Sequence, residues 1–124
     1  VKILLDTHVF LWALSEPEKL RSAIRPAIEL PSNQVFVSAM TVAEIVIKES
    51  IGKLDVRFDP LEMIDRLGFE RLDFSVLAAR RLGTLPFHHR DPFDRMLIAQ
   101  AIEHDFTIAS HDPIFVRYDC KLLG

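Results

Sequence analysis

The sequence predicts an α/β fold: a three-layer α/β/α sandwich around a central parallel sheet of about five strands. Two observations carry this. Five short apolar runs, starting at Lys2, Val35, Phe69, Thr107 and Cys120, alternate with segments whose apolar residues recur at helical spacing. The connections are short, and such alternation specifies parallel strands joined by right-handed crossovers.

Lys2-Ile3-Leu4-Leu5 reads as a strand buried on both faces that breaks off at Asp6. Thr7 to Leu14 is apolar nearly all round, as in a short helix packed against the sheet, with Trp12 in the core. Ser15-Glu16-Pro17-Glu18 starts a second helix through Leu20, Ile24 and Ile28, which Pro26 should kink or split. Val35 to Ser38 is the second strand. Thr41 is the expected cap of a helix from about Val42 to Ser50. Asp59-Pro60 opens a helix that stops at Gly68, and Phe69 to Leu72 is a third strand ending at Asp73. Ser75 caps a helix through Leu82, ended by Gly83. Leu85 to Arg90 is a loop rich in His and Arg, and Asp91-Pro92 begins the strongest helix, through Ile102. Thr107 to Ser110 is the fourth strand, Asp112-Pro113 opens a helical turn, and Cys120 to Leu123 is the fifth strand.

At 124 residues the chain is expected to form a single domain, residues 1–124. Its composition, 49% hydrophobic and 27% charged, excludes disorder and leaves an apolar excess suited to an oligomer or a partner. A net charge of −3 argues against holding nucleic acid by overall charge, though not against a local basic patch. Cys120 is the only cysteine, so no intrachain disulfide forms and a reducing compartment follows. Asp6 and His8 interrupt the only stretch that resembles a signal sequence, and nothing reaches membrane-spanning length. The expectation is a cytoplasmic protein without membrane contact.

Four carboxylates fall where this fold gathers its functional edge: Asp6 after the first strand, Glu44 on the helix after the second, Asp94 at the start of the strongest helix, and Asp112 after the fourth strand. Asp6 and Asp112 also suit plain capping roles, and Glu44 stands four residues before Lys48, a common helix-surface pair. Asp94 lies on the apolar stripe of its helix with Leu97, Ile98 and Ala101, where a carboxylate needs a partner. Asp91, directly before Pro92, has the stronger claim to be a cap.

Four converging acids repel one another unless a cation intervenes. Oxygen ligation suits Mg²⁺ or Mn²⁺. A single cysteine and the lack of a His-Glu-x-x-His pattern exclude the usual zinc sites. Ions held this way hydrolyse phosphodiesters, and the acids alone do not separate RNA from DNA. Thr7, Ser38, Thr41 and Ser110 lie near the acids and serve equally as caps or strand ends; only Ser110 favours a role at the site. His88, His89, Arg90 and Arg95 around the Asp91 helix start would form a positive rim for phosphates. The four glycines form no phosphate-binding loop, and no Gly-x-Ser-x-Gly is present.

Asp6-Thr7-His8-Val9-Phe10-Leu11-Trp12, Ser38 with Thr41 and Glu44, Ile47-Lys48 with Gly52-Lys53-Leu54, His89-Arg90-Asp91-Pro92-Phe93-Asp94-Arg95 with Ile98-Ala99, and Ser110-His111-Asp112 with Phe115 together resemble the PIN-domain toxins of the VapC family. The match runs nearly end to end and in order. The resemblance implies a Mg²⁺- or Mn²⁺-dependent endoribonuclease, the toxin of a type II toxin–antitoxin pair, with catalytic and metal-holding acids at Asp6, Glu44, Asp94 and Asp112. It implies an RNA substrate, a homodimer, and an antitoxin whose C-terminal segment lies in the active-site groove. Asp91, Ser110, Thr7 and Ser38 are then candidate supporting residues, and Lys48, His89, Arg90 and Arg95 candidate RNA contacts. Ala43 departs from the Trp that this group often carries before the Glu. Asp91 and Asp94 compete as the third acid; the stripe and the spacing to Ile98-Ala99 favour Asp94.

Two rivals stand beside this reading. Asp73 ends the third strand where the phosphoacceptor of a phosphoryl-receiver signalling domain would stand, although such domains usually pair acids after the first strand and Asp6 is alone. The other rival is a catalytically silent PIN module that only binds a partner.

Overall fold

The computed structural model describes residues 1–123. Five parallel strands form one sheet: β1 (Lys2–Leu5), β2 (Gln34–Ser38), β3 (Glu70–Leu72), β4 (Thr107–Ala109) and β5 (Lys121–Leu123), in the order β3-β2-β1-β4-β5. β1 is central because it is the most completely apolar run. Leu4 aligns with Phe36 on one side and Ile108 on the other, and Leu5 aligns with Ala109.

Alternate residues of β1 feed two cores. Ile3 and Leu5 join Val9 and Phe10 of α1 (Thr7–Ser15), Ile24 of α2 (Ile24–Glu29), Ile45 of α3 (Ala39–Ser50) and Ile64 of α4 (Pro60–Arg66). Leu4 points to the other face, where Leu97, Ile98 and Ala101 of α6 (Pro92–His104) pack, with α5 (Val76–Arg81) against α6. Apolar residues on both sides of each strand are what a parallel sheet between helical layers requires.

Several boundaries differ from expectation for local reasons. Ser38, not Thr41, caps α3: its Oγ accepts from the Met40 N–H at 3.0 Å, and the helix starts three residues earlier than predicted. Ser38 ends β2 with extended backbone, which suits an N-cap; Thr41 is thereby turned inward and buried. Pro26 sits in the first turn of the short α2, where its missing N–H costs nothing, while the Pro17–Lys19 segment is a separate 3₁₀ turn. Trp12 is half-buried rather than in the core, and packs edge-on to His111 with ring centroids 5.0 Å apart.

From β1 the chain winds outward through β2 to β3, then crosses back to build β4 and β5 on the opposite side. Winding therefore reverses between β1 and β4. At such a reversal the two departing connections diverge, leaving a crevice at the carboxyl ends of the strands. Asp6 follows β1, and Ser110-His111-Asp112 follows β4. The order also removes the phosphoryl-receiver reading. In that architecture the third strand lies beside the first, whereas here β3 is an edge strand two places from β1, and Asp73 is carried away from the crevice.

Candidate metal centre at the sheet crevice

Asp6 both caps a helix and enters the crevice. Its N–H donates to the Ala109 carbonyl at 3.0 Å, continuing the β1–β4 ladder, and its Oδ1 accepts from the Val9 N–H at 2.8 Å, capping α1. Ser110 also hydrogen-bonds the carboxyl group. Only 4% of Asp6 is exposed. Burial pushes its pKa up, against the hydrogen bonds of Ser110 and Val9 and the nearby His8 and His111.

Across the crevice, Asp91 and Asp94 occupy the start of α6. Asp91 is the N-cap, its Oδ1 accepting from the Phe93 N–H at 2.9 Å. Asp94, in the first turn, directs Oδ2 to within 3.0 Å of His89 Nε2. Asp112 caps the 3₁₀ turn Pro113–Arg117: Oδ1 accepts from the Ile114 N–H at 2.9 Å, and Oδ2 lies 2.8 Å from the same His89 nitrogen. Ser110 Oγ accepts from the Asp112 N–H at 3.0 Å, so one hydroxyl links the Asp6 and Asp112 sides. One ligand atom from each of His89, Asp94 and Asp112 lies within 4.8 Å of the others.

Glu44 stands behind this group, on α3. Thr7 donates to its Oε1 at 2.7 Å, the Thr41 hydroxyl lies 3.3 Å from Thr7 Oγ1, and Lys48 pairs with Oε2. Lys48 is held above its ordinary pKa by its hydrogen bond to Glu44, against partial burial, and further by the charges of Glu44, Asp91 and Asp94.

Asp94 is likewise raised, pushed up to about 8 by burial and then by the charges of Asp91, Asp6, Glu44 and Asp112. Among the described residues no Lys or Arg forms an ion pair with Asp6, Asp91, Asp94 or Asp112. A set of carboxylate oxygens with unmatched negative charge has the chemistry of a hard divalent-cation site.

The other candidate residues divide. Thr7 and Ser110 touch the acids directly. Ser38 does not: its hydroxyl donates to Gln100 Oε1 at 2.6 Å inside the fold, and Gln100 in turn donates to the Asp73 carbonyl. Arg95 is not a rim residue. It is buried, with Nη1 donating to the Pro86 carbonyl at 2.8 Å and the Tyr118 hydroxyl at 3.2 Å, Nη2 reaching the Leu85 carbonyl, and the Phe87 ring 4.3 Å away. That guanidinium ties down the 85–90 loop, with three of its N–H donors committed to the Leu85 and Pro86 carbonyls and the Tyr118 hydroxyl. His89 likewise turns inward to the acids, leaving Arg90 as the exposed cation of the loop, with His88 exposed beside it. Sequence reasoning missed Tyr118, whose hydroxyl joins Arg95, the Pro86 carbonyl and the His89 N–H. It is the chain's only tyrosine, and a tyrosine facing an apolar core needs a hydrogen-bond partner, which was the available signal.

A family profile described as PIN domain matches residues 3–121. Ribonuclease VapC22 of Mycobacterium tuberculosis is 26% identical over 113 residues, spanning 89% of this chain and 86% of that protein. Among solved structures, VapBC2 from Rickettsia felis, bound to a DNA fragment from its promoter, superposes with a TM-score of 0.75 at 18% identity, covering 98% of this chain and 97% of that one. FitAcB from Neisseria gonorrhoeae gives a TM-score of 0.62 at 25% identity, covering 98% and 96%.

Proposed function

Because the chain belongs to the PIN-domain family, we propose that it is a Mg²⁺- or Mn²⁺-dependent endoribonuclease and the toxin of a toxin–antitoxin pair. One observation carries the reading: a half-buried carboxyl group, Asp94, is surrounded by the charges of Asp6, Glu44, Asp91 and Asp112, with no Lys or Arg paired to it among the described residues. The likeness to a protein named Ribonuclease VapC22 supports the substrate class.

In this reading Asp6, Asp94 and Asp112 hold the metal directly and Glu44 holds it directly or through water. The bound ion would supply Lewis acidity to the phosphodiester and make water a better nucleophile at neutral pH. The chain's own residues do the rest. Ser110 fixes Asp6 and Asp112 relative to each other, Thr7 aims Glu44, and Lys48 balances its charge. Arg90, exposed beside the start of α6, attracts the RNA backbone.

Structures of the VapBC toxin–antitoxin type support an antitoxin partner. Val46 and Ile47 of α3, Ile51 just after it, and Leu77 of α5 are exposed, apolar surface suited to a second copy or to that antitoxin. Among the described residues no helix is long and apolar enough to cross a membrane.

The test is cleavage of single-stranded RNA by the purified protein with Mg²⁺ or Mn²⁺, with EDTA, and with Asp94→Asn. Cleavage should need the ion and fall to background in the variant. Metal binding by a folded protein that cuts no RNA would favour a silent binding module, and cleavage that survives both EDTA and Asp94→Asn would overturn the assignment.

A further inference from the structure

We propose that His89 is a positioning residue, which holds Asp94 and Asp112 ready for the cation by donating one N–H to both and is barred from ligating the cation itself. The inference rests on the reading of those acids as metal ligands.

The tautomer follows from the backbone. His89 Nδ1 lies 3.1 Å from the Asp91 backbone nitrogen, whose N–H can only donate. Nδ1 is therefore the acceptor, and the ring hydrogen of neutral His89 sits on Nε2. That nitrogen lies 3.0 Å from Asp94 Oδ2 and 2.8 Å from Asp112 Oδ2. A nitrogen bearing a hydrogen has no lone pair for a metal. To ligate, His89 would have to move the hydrogen to Nδ1, where it would face the Asp91 N–H.

The ring is also anchored. His89 is buried; its backbone N–H donates to the Tyr118 hydroxyl at 2.8 Å, and the Phe115 ring lies edge-on at 5.7 Å. The tyrosine hydroxyl donates onward to the Pro86 carbonyl at 2.8 Å. For Asp112 the result is a carboxylate held at both oxygens, Oδ1 by the Ile114 N–H and Oδ2 by His89. A carboxylate oxygen has two lone pairs, so Oδ2 keeps one for a cation. The same N–H joins the start of α6 to the loop after β4, which Coulomb repulsion would otherwise drive apart. Groups that orient metal ligands in this way typically account for about 10–100-fold in metal affinity.

Two substitutions separate the two ring nitrogens. His89→Asn keeps an acceptor near the Asp91 N–H but has nothing that reaches the acids. His89→Gln can place an amide N–H near the position of Nε2. Mn²⁺ affinity is read from the free-ion electron paramagnetic resonance signal, with circular dichroism and melting temperature as fold controls. The expected result is about a 10–100-fold loss in Asn, substantial recovery in Gln, and no directly coordinated nitrogen in the spin-echo spectrum of the wild-type Mn²⁺ complex. Coordinated nitrogen would overturn the proposal by making His89 a ligand. Wild-type affinity in a folded Asn variant would overturn it by making the contact incidental. If Asn does not fold, the Gln variant and the wild-type spectrum decide. A wild-type protein that binds no Mn²⁺ would instead defeat the metal-site reading itself.

Discussion

The two sides of the crevice treat negative charge differently. On the α3 side Glu44 is buried, yet each oxygen has a donor, Thr7 on one and the Lys48 ammonium on the other. On the α6 side Asp94 and Asp112 share one imidazole N–H, and Asp94 is pushed up to about 8. One side is complete as a folded structure; the other becomes electrostatically complete only with a cation. A site balanced throughout would gain little from a metal, and one unbalanced throughout would strain the fold.

The largest expected effect breaks the unbalanced side. Asp94→Asn should lower metal-dependent cleavage by more than about 100-fold, since groups that merely orient metal ligands already cost about 10–100-fold. The same variant should be more heat-stable than wild type in EDTA. The sign follows from the raised pKa. Between the ordinary carboxylate value of about 3.9 and about 8, folded protein holds a proton on Asp94 that unfolded protein has lost, so stability falls as pH rises through that window. The slope from this group approaches about 1.4 kcal/mol per pH unit at most. Melting curves in EDTA at pH 5 and pH 8 should show the Asn variant gaining most at pH 8. A gain independent of pH would mean that Asp94 is not strained by ionisation. Saturating Mg²⁺ should reverse the wild-type trend, because the ion selects the ionised form.

The balanced side makes the opposite prediction. Lys48→Met leaves Glu44, 3% exposed, with an unmatched charge, and should cost about 1–2 kcal/mol, less than for a fully buried pair because the lysine itself is partly solvated. Denaturant unfolding at pH 7 measures it. A neutral result would mean that Thr7 alone satisfies Glu44.

The two sides also differed in how far the sequence disclosed them. Asp6 and Asp112 announce themselves because each ends an apolar run and precedes a helical segment, and Asp94 because it interrupts an apolar stripe; these are local patterns. The place of His89 is not local. Its loop has no periodicity, and its partners Asp112 and Tyr118 lie 23 and 29 residues away, so the His-Arg run reads as a solvated rim until the fold closes it. Arg95 misleads for the same reason, its carbonyl partners being set by how the 85–90 loop turns. The cap of α3 was ambiguous because Ser38 and Thr41 are both good capping residues, and only the end of β2 decides between them. The edge position of β3 is a matter of strand order, which no single segment encodes.

Arg95→Lys sharpens the contrast within that loop. A lysine can reach one carbonyl but cannot span Leu85, Pro86 and Tyr118 as the guanidinium fork does. The expected cost is about 1–2 kcal/mol in unfolding free energy, with Mn²⁺ affinity falling through the loosened His89. A drop in stability without a change in metal affinity would separate the loop anchor from the acid site.

The smallest effect belongs to Arg90, the exposed cation between His89 and Asp91. Arg90→Ala removes no hydrogen bond or ion pair recorded among the described residues, so its stability should stay within about 0.5 kcal/mol of wild type. If Arg90 meets an RNA phosphate, the change should weaken binding of a non-cleavable RNA at low salt. The slope of log K against log salt should then shrink by about 0.7, the contribution of one phosphate contact on a single strand. Arg95→Lys retains its charge and should leave that slope alone. An unchanged slope in Arg90→Ala would remove the arginine from the RNA path to the unbalanced side.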